Sequence, residues 1–273
     1  MNIQWYPGHM TKTKRKLEEQ LRWVDVVLEL GDARLPISSR NPLLKELLGK
    51  KPRLLLLNKA DLADSNRLNP WLDELGKKSP VLAISAQSGM GVKKIAGILE
   101  NLMADKRKQL EKRGVRARPI RAMVVGIPNI GKSSLINRLT GGSQAKTGNK
   151  PGVTRGNQWI RINPKLELLD TPGMFWPKFD DPEVGKKLAA TGAVKDEVFD
   201  QEELAAWLLQ WFKQNYPQEL MAFYNLQEEE LNLESIGQRR GCLISGGKID
   251  TLKAAQILLR EFREGKVAKV VMD

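Results

Sequence analysis

Two short polar motifs that each follow an apolar run are the strongest constraint on how this chain folds. Asn58-Lys59-Ala60-Asp61 ends the apolar run 54–57, and Gly126-Ile-Pro-Asn-Ile-Gly-Lys-Ser133 begins at the end of the predicted strand 120–126. Uninterrupted apolar runs of this kind are typical of parallel strands that are buried on both faces. Because ligands bind at the carboxyl ends of such strands, both motifs are predicted to lie at one edge of a doubly wound, mostly parallel α/β sheet.

The downstream motif has the Gly-x4-Gly-Lys-Ser spacing of a phosphate loop, and a predicted helix, residues 132–139, follows it. Gly126 and Gly131 allow the backbone to wrap phosphate oxygens, and the helix N-terminus directs unpaired N–H groups at the anion. Lys132 is expected to bridge the outer phosphates as a catalytic group, and Ser133 to bind Mg²⁺. A plain strand-to-helix turn has no need of a Lys-Ser pair, so we interpret the loop as a triphosphate site. Its predicted nucleotide-binding residues are Asn129, Ile130, Gly131, Lys132, Ser133 and Ser134.

The upstream motif fits the selection of a guanine base. The Asp61 carboxylate can accept hydrogen bonds from the N1 and N2 donors of guanine, and adenine lacks that pair, so GTP is favoured over ATP. Asn58 is expected to tie neighbouring loops together, and the stem of Lys59 to cover the ring. The pair Ser85-Ala86, at the end of a third predicted buried strand (residues 81–86), offers a candidate backbone N–H for the guanine O6. A plain strand end is the alternative interpretation of that pair.

Two segments downstream of the phosphate loop are predicted to contact the metal and the γ-phosphate. Residues 166–170 are predicted to form a strand that delivers Asp170 to Mg²⁺ through a water molecule, and the Gly173 N–H is expected to reach the γ-phosphate. Thr154 is predicted to be the second hydroxyl ligand of the metal. Thr147 is the alternative for that ligand, but the preceding Pro-Gly-Val favours Thr154.

The order of these motifs is inverted relative to an ordinary GTPase, because the base-selecting loop precedes the phosphate loop. The inversion predicts a circularly permuted P-loop GTPase domain over residues 1–178, with the basic stretch 106–119 covering the join where an unpermuted domain has its termini. A small all-α domain is predicted over residues 179–273. Its clearest helices are predicted to begin near Asp200 and Asp250, with inward-facing Leu204, Trp207, Leu208, Trp211 and Phe212 in one and Leu252, Ala255, Leu259 and Phe262 in the other.

Further short motifs extend the pattern to the amino-terminal part of the chain. Together with the nucleotide motifs, Trp5-Tyr-Pro-Gly-His-Met10, Asp32-Ala-Arg-Leu-Pro36 and Ser38-Ser-Arg-Asn-Pro42 resemble the ribosome biogenesis GTPase A (YlqF-type) family over essentially the whole chain. The resemblance implies a GTPase that acts in late maturation of the large (50S) ribosomal subunit, and we expect the ribosome to stimulate it. Because no membrane or export signal is found, we expect a cytoplasmic location. The resemblance also implies binding to rRNA through the C-terminal domain, and we expect a monomer away from the ribosome.

The segment after Gly173 lacks the glutamine with which many GTPases orient the attacking water. Met174-Phe-Trp176 stands there, and none of these side chains can polarise water. The resemblance implies that His9, the single histidine, takes this catalytic role, with a packing or surface histidine as the alternative. It also implies that Asn129 is a candidate ligand of K⁺, with an asparagine that bonds its own loop as the equal alternative.

An excess of basic residues points to a polyanionic partner. The chain has 45 Lys and Arg against 32 Asp and Glu, a net charge of +13. Because a chain of this length can bury a core, RNA is the natural partner. Basic side chains cluster at residues 12–16 and 106–121 and are candidate RNA contacts, with a solvated helix face as the alternative. Three further candidate phosphate contacts are Arg239, Arg240 and Lys248, with solvated charges as the alternative. No apolar span, signal peptide or lipidation motif indicates a membrane, so none is expected as a partner.

The sequence leaves three functions open. The first is a GTP-hydrolysing assembly factor of the large ribosomal subunit, with GTP or GDP, Mg²⁺ and the candidate K⁺ as cofactors. The second is a nucleotide-gated RNA-binding module whose hydrolysis is incidental, which the missing glutamine allows. The third is a GTPase that acts on tRNA or on the small subunit, which net charge alone does not exclude.

Overall fold

The computed structural model describes residues 10–115, 118–141, 159–169 and 181–273. These residues form two compact units. One consists of the described residues of Trp5–Pro177 together with Asp273, and the other of the described residues of Lys178–Met272. Each unit has its own buried core.

The first unit is built on one sheet whose strands run mostly in parallel. Among the described strands, β5 alone is antiparallel to its neighbour. The mostly parallel α/β fold predicted from the sequence is therefore confirmed. The strands are β1 (Val26–Asp32), β2 (Arg53–Asn58), β3 (Val81–Ala83), β4 (Ile120–Val125), β5 (Trp159–Asn163) and β6 (Leu166–Leu169), in the spatial order β3-β2-β1-β4-β6-β5. The helices of this unit are α1 (Met10–Leu21), α2 (Pro42–Leu48), α3 (Ser65–Gly76), α4 (Lys94–Leu102), α5 (Ala104–Lys112) and α6 (Lys132–Leu139).

The central strands are buried because apolar runs supply both faces of the sheet. The four leucines at positions 54–57 of β2 are at most 1 % exposed, and burying each contributes about 1.5–3 kcal/mol relative to exposure. Strands β1 and β2 pair in parallel from Val27 with Arg53 to Asp32 with Asn58. This register brings the polar residues that end the two strands to the same edge of the sheet.

The two edges of the sheet differ from the sequence prediction. Strand β3 ends at Ala83 and is half-buried, whereas the sequence predicts a buried strand over residues 81–86. Strand β5 is not predicted from the sequence at all, and it pairs with β6 at the opposite edge. Edge strands have a neighbour on one side only, and here both are largely half-buried, so their apolar pattern is weaker than that of the central strands.

Asp25, just before β1, anchors the basic linker between the permuted halves of the first unit. Its carboxylate accepts hydrogen bonds from Lys106 Nζ at 3.1 Å, from the two Arg118 Nη atoms at 2.7 and 3.0 Å, and from the Arg121 N–H at 3.0 Å. Burial alone would raise the pKa of Asp25, but these donors hold its pKa below the usual range. Part of the basic run 106–121 is therefore paired within the protein, although the Lys106 and Arg118 side chains stay about half exposed.

Replacing Asp25 with alanine should lower the free energy of unfolding by about 1–3 kcal/mol, because partly buried donors lose their acceptor. Folding lowers the pKa of Asp25, so its contribution is present at neutral pH and is lost as the pH falls below about 4. Urea unfolding at pH 7 and at pH 3 measures both effects. Glu111→Ala removes an exposed carboxylate from the same linker helix and should change the free energy of unfolding by less than about 0.5 kcal/mol. An Asp25→Ala variant as stable as wild type at pH 7 would contradict the anchoring role.

The second unit is a bundle of helices around an aromatic core. Phe212 and Phe262 meet edge to face with ring centroids 5.7 Å apart, and both are at most 1 % exposed. The all-α domain predicted from the sequence is confirmed for the described residues of this unit, and none of the described helices in either unit is long and apolar enough to cross a membrane. The helices of the second unit are α7 (Pro182–Ala190), α8 (Gln201–Asn215), α9 (Pro217–Tyr224), α10 (Leu233–Arg239) and α11 (Thr251–Arg263).

One predicted core position in this unit is wrong. Leu252 is 47 % exposed, whereas Ala255, Leu259 and Phe262 of the same predicted stripe are buried. Leu252 lies in the first turn of α11, which begins at Thr251. Helical spacing extends the apolar stripe to that turn, but spacing does not reveal where the neighbouring helices stop covering it.

Arg240 belongs to a polar network inside the second unit. Its Nε lies 2.9 Å from Glu261 Oε1, and its guanidinium lies 5.0 Å from the ring centroid of Tyr224. The Tyr224 hydroxyl donates to the other Glu261 oxygen at 2.7 Å. Arg240 therefore has partners within the protein, but it is exposed, as are Arg239 and Lys248. All three remain candidate phosphate contacts.

Candidate nucleotide-binding site

The phosphate loop links β4 to α6 and packs tightly against two neighbours. A Cβ atom added to Gly126 would lie 2.7 Å from the Leu30 carbonyl oxygen, and one added to Gly131 would lie 2.3 Å from Asn58 Nδ2. Gly131 also has a φ of +101°, in a region that residues with a side chain rarely adopt. Glycine therefore fits best at both positions, which leaves the loop backbone open to close approach by an anion.

The side chain of Lys132 folds back over the phosphate loop. Its Nζ donates to the Gly126 carbonyl oxygen at 3.0 Å and to the Ile127 carbonyl oxygen at 2.6 Å. Burial lowers the pKa of Lys132 to about 8, because desolvation disfavours the charged form. An ammonium group held by neutral carbonyls would be strongly stabilised by a phosphate, which agrees with the role predicted for this lysine.

Binding of GDP should therefore be accompanied by proton uptake above neutral pH. With a pKa of about 8 in the free protein, Lys132 is about three-quarters neutral at pH 8.5, and a bound phosphate restores its charge. Calorimetric titration in buffers of different ionisation enthalpy should show uptake of about 0.75 protons per GDP at pH 8.5 and about 0.1 at pH 7. Lys132→Arg, which stays charged, should abolish the difference. Equal proton numbers for wild type at the two pH values would contradict this prediction.

Asn58 ends β2 and joins two loops that are distant in sequence. Its Nδ2 donates to the Ile130 carbonyl oxygen at 2.8 Å, 72 residues further along the chain. Its Oδ1 accepts from the Ala86 N–H at 2.9 Å. The side chain is 3 % exposed. Asn58 thus ties the phosphate loop to the loop after β3, which is the architectural role expected from the sequence.

Lys59 is held by a buried acidic residue. Its Nζ lies 3.1 Å from Asp32 Oδ2, and Arg34 donates to both oxygens of the same carboxylate, at 3.0 and 2.8 Å. Burial alone would raise the pKa of Asp32, but the charges of Arg34 and Lys59 hold it well below the usual range, so Asp32 is an anion. The segment around Asp32, noted in the sequence only for its resemblance to a family motif, therefore orients the lysine of the base-selecting motif.

Asp61 lies beside the end of β3. It is half-buried within the short 3₁₀ turn Ala60–Leu62. The Ala60 N–H of this turn donates to the Ile84 carbonyl oxygen at 3.0 Å. The turn that carries Asp61 and the loop after β3 are thus adjacent, as a cleft for a base requires.

The loop after β3 uses the two N–H groups that the sequence analysis assigned to the guanine O6. The Ser85 N–H donates to the Met90 carbonyl oxygen at 3.0 Å, and the Ala86 N–H donates to Asn58 Oδ1. Both groups therefore have protein acceptors in this structure. These partners could not be predicted from the sequence, because Asn58 belongs to another strand and Met90 to the far side of a turn.

The remaining predicted site residues fall into two groups. Asn129, Ser133 and Ser134 are exposed, in the phosphate loop and the first turn of α6, and Asn129 has a φ of +56°. His9, Thr147, Thr154, Asp170 and Gly173 lie outside the described residues. Within the described part of the chain, no group of three or more His, Cys, Asp or Glu side chains is placed to hold a metal ion.

Arg138, near the end of α6, also contacts this region, although it lies outside the nucleotide-binding motifs of the sequence. Its Nε donates to the Ala86 carbonyl oxygen at 3.1 Å, and its Nη2 donates to the Gln87 carbonyl oxygen. It therefore joins the helix behind the phosphate loop to the loop after β3. From the sequence, an arginine in the last turn of a helix is explained by the helix dipole alone.

Comparison with known proteins agrees with this geometry. A family model described as "50S ribosome-binding GTPase" matches residues 121–235. "Ribosome biogenesis GTPase A" of Bacillus cereus is 46 % identical over 100 % of this chain and 94 % of its own, and the protein of that name from Priestia megaterium is 47 % identical over 100 % and 97 %. "Mitochondrial ribosome-associated GTPase 1" of Mus musculus is 35 % identical over 98 % and 89 %.

A solved structure also matches nearly the whole chain. The crystal structure of GNP-bound YlqF from T. maritima has a TM-score of 0.71 and 26 % sequence identity, covering 96 % of this chain and 97 % of its own. The sequence similarity to named GTPases extends over the whole chain. The order of the strands around the phosphate loop points to the same family. The chain is a GTPase and belongs to the ribosome biogenesis GTPase A (YlqF-type) family of circularly permuted GTPases.

Proposed function

We propose that this GTPase binds the rRNA of a large-subunit precursor and uses GTP hydrolysis in late 50S maturation. The observation that carries the proposal is full-length similarity to proteins named ribosome biogenesis GTPase A. The description of the matching family model, a 50S ribosome-binding GTPase, supports the large subunit as the partner. The net charge of +13 supports an RNA ligand.

In the proposed site, the base and the phosphates are held by separate loops that Asn58 keeps in register. Asp61 reads the N1 and N2 donors of guanine, and the stem of Lys59 covers the ring while Asp32 holds its ammonium group. Lys132 and the N–H groups at the start of α6 bind the phosphates. The Gly173 N–H is the remaining donor to the γ-phosphate in this proposal.

Mg²⁺ fits the oxygen donors of this proposed site. Ser133 presents an exposed hydroxyl in the first turn of α6, two residues after Gly131, the glycine whose added Cβ would collide with Asn58. Mg²⁺ prefers hydroxyl, carboxylate, water and phosphate oxygens, so we assign Ser133, Thr154 and, through water, Asp170 as its ligands. When bound, the ion would neutralise phosphate charge. Asn129, exposed in the phosphate loop, is the proposed ligand of K⁺.

Exposed cations on both units support binding to an RNA backbone. Lys108, Lys112 and Arg113 of the linker are exposed, and none of them pairs with Asp25, whereas Lys106 and Arg118 do. Arg239 and Lys248 are exposed on the second unit. Contacts of this type bind phosphates without reading sequence, so they should make binding strongly dependent on salt concentration.

The deciding experiment measures GTP and ATP hydrolysis with and without purified large and small subunits, in K⁺ and in Na⁺ at constant ionic strength. We expect large subunits alone to stimulate GTP turnover, and Na⁺ to slow it. No stimulation by either subunit would favour an RNA-binding module with incidental hydrolysis. Stimulation by, or co-sedimentation with, small subunits would favour a different ribosomal target, and equal rates in K⁺ and Na⁺ would remove the potassium site.

We propose His9 as the residue that orients the attacking water. His9→Ala should reduce ribosome-stimulated turnover by about 10²-fold or more, the usual contribution of a general acid or base. Affinity for GDP should stay within about twofold of wild type, because the histidine acts only at the γ-phosphate. Single-turnover hydrolysis on large subunits, together with GDP titration, measures both. Unchanged ribosome-stimulated turnover would remove His9 from the mechanism.

A further inference from the structure

We propose that Arg138 positions the backbone N–H that reads the guanine O6, and so is a specificity-determining residue of the nucleotide site. This inference rests on the GTP site proposed above. It adds a positioning residue from α6 that lies outside every nucleotide motif of the sequence.

Arg138 holds two consecutive carbonyl groups of the loop after β3. Its Nε donates to the Ala86 carbonyl oxygen at 3.1 Å, and its Nη2 donates to the Gln87 carbonyl oxygen. The guanidinium also lies against Gly89, where an added Cβ atom would be 3.6 Å from Nη1. A planar group with several donors in a fixed fork is suited to holding two carbonyls at once.

Holding the Ala86 carbonyl fixes the direction of the Gln87 N–H. These two groups belong to one planar trans peptide unit, in which the C=O and the N–H point in opposite directions. Since the carbonyl is directed at Arg138, the Gln87 N–H is directed away from it. A free loop peptide could rotate, but this one is restrained by the hydrogen bond from α6.

The Gln87 N–H is the donor that this loop leaves for a ligand. Within the described residues, none accepts a hydrogen bond from it, whereas the four surrounding N–H groups all have acceptors. Those are Ser85 to the Met90 carbonyl, Ala86 to Asn58 Oδ1, Ser88 to Ser85 Oγ at 3.1 Å and Gly89 to the Ser85 carbonyl at 2.8 Å. The loop also adjoins the turn that carries Asp61, through the bond from Ala60 to Ile84.

A fixed N–H at this place discriminates between purines. Guanine presents an acceptor oxygen at position 6, where adenine presents an amino donor. A donor that is covered by the bound base and faces another donor is left without a partner, which disfavours adenine. Asp61 reads the other edge positions, N1 and N2, so the two groups select guanine by independent contacts.

The test compares equilibrium binding of GDP, ADP, 6-thio-GDP and IDP to wild type, Arg138→Ala, Arg138→Lys and Asp61→Ala. Sulfur at position 6 is a poor acceptor, and IDP keeps O6 but lacks the N2 donor. Arg138→Ala should narrow the preference for GDP over 6-thio-GDP by about three- to tenfold and leave the preference for GDP over IDP unchanged. Arg138→Lys, with one donor group, should be intermediate. Asn137→Ala, an exposed neighbour on α6, is the matched control.

The outcomes separate this inference from the proposed site. If wild type binds ADP as well as GDP, the GTP site itself is wrong. If wild type prefers GDP and Asp61→Ala narrows the preference over IDP, the site stands. In that case, an Arg138→Ala variant that weakens all four nucleotides equally has lost only structural support, and the positioning role is overturned. If Arg138→Ala folds poorly, Arg138→Lys decides. A lysine variant with the selectivity of wild type would overturn the inference that Arg138 must hold both carbonyl groups.

Discussion

Replacing Lys132 with alanine is expected to reduce GTP hydrolysis by at least about 10³-fold, the usual cost of losing a preorganised group that stabilises transition-state charge. The Nζ atom already lies inside the phosphate loop, bonded to the Gly126 and Ile127 carbonyl oxygens. A bound phosphate can therefore gain its charge after only a small movement of the side chain. Alanine removes that charge and leaves the loop glycines unchanged.

Stability distinguishes this loss from misfolding. Folding lowers the pKa of Lys132 to about 8, so at neutral pH the charged side chain disfavours the folded state, and its removal should not lower the free energy of unfolding. Turnover, GDP affinity and thermal unfolding of Lys132→Ala measure the three quantities. Lys165→Ala, which removes an exposed lysine paired with Glu100 in the same unit, is the matched control. Turnover within tenfold of wild type, or a melting temperature several degrees lower, would contradict the role assigned to Lys132.

Features set by neighbouring residues could be predicted from the sequence. Helix α6 was predicted at 132–139 and is found at Lys132–Leu139, and the predicted strand 120–126 is found at Ile120–Val125. In this segment an apolar run, two glycines and the start of a helix follow one another within a few residues. The local sequence pattern therefore predicts the same elements that the tertiary structure contains. The same holds for α8, which begins after the capping residue Asp200.

Features set by distant residues could not be predicted. The ion pair of Lys59 with Asp32 and the bonds from Arg138 to the loop after β3 join separate segments, and neither has a periodic pattern. Strand β5 is defined by pairing with β6 rather than by its own composition. The exposure of Leu252 likewise depends on where other helices end. Spacing along one element identifies a face, but only the fold shows what covers it.

The permuted order makes the site depend on contacts between distant segments. The strands next to the proposed base-selecting residues, β2 and β3, precede the phosphate-loop strand β4 in the chain. In the sheet, β1 alone separates β2 from β4. The register of β1 with β2 brings Asp32 beside Asn58. The loops of both halves then meet at one edge, and Asn58 is the side chain that connects them.

Replacing Asn58 with alanine should therefore affect stability and binding together. The change leaves the Ile130 carbonyl oxygen and the Ala86 N–H without their partner in a buried place, and should lower the free energy of unfolding by about 2–4 kcal/mol. GDP affinity should fall by about 30-fold or more, because the phosphate loop and the base loop lose their common register. Urea unfolding, and GDP titration well below the melting temperature, measure the two effects.

Asn58→Asp separates the two hydrogen bonds of that side chain. The carboxylate can still accept from the Ala86 N–H, but it cannot donate to the Ile130 carbonyl oxygen, which lies 2.8 Å from the present Nδ2. Two oxygens would then face each other in a buried site, so this nearly isosteric change should be at least as harmful as alanine. Asn69→Ala on the exposed face of α3 is the control and should stay within about 0.5 kcal/mol of wild type. If Asn58→Asp bound GDP like wild type, the bond to Ile130 would be incidental and the base loop alone would need Asn58.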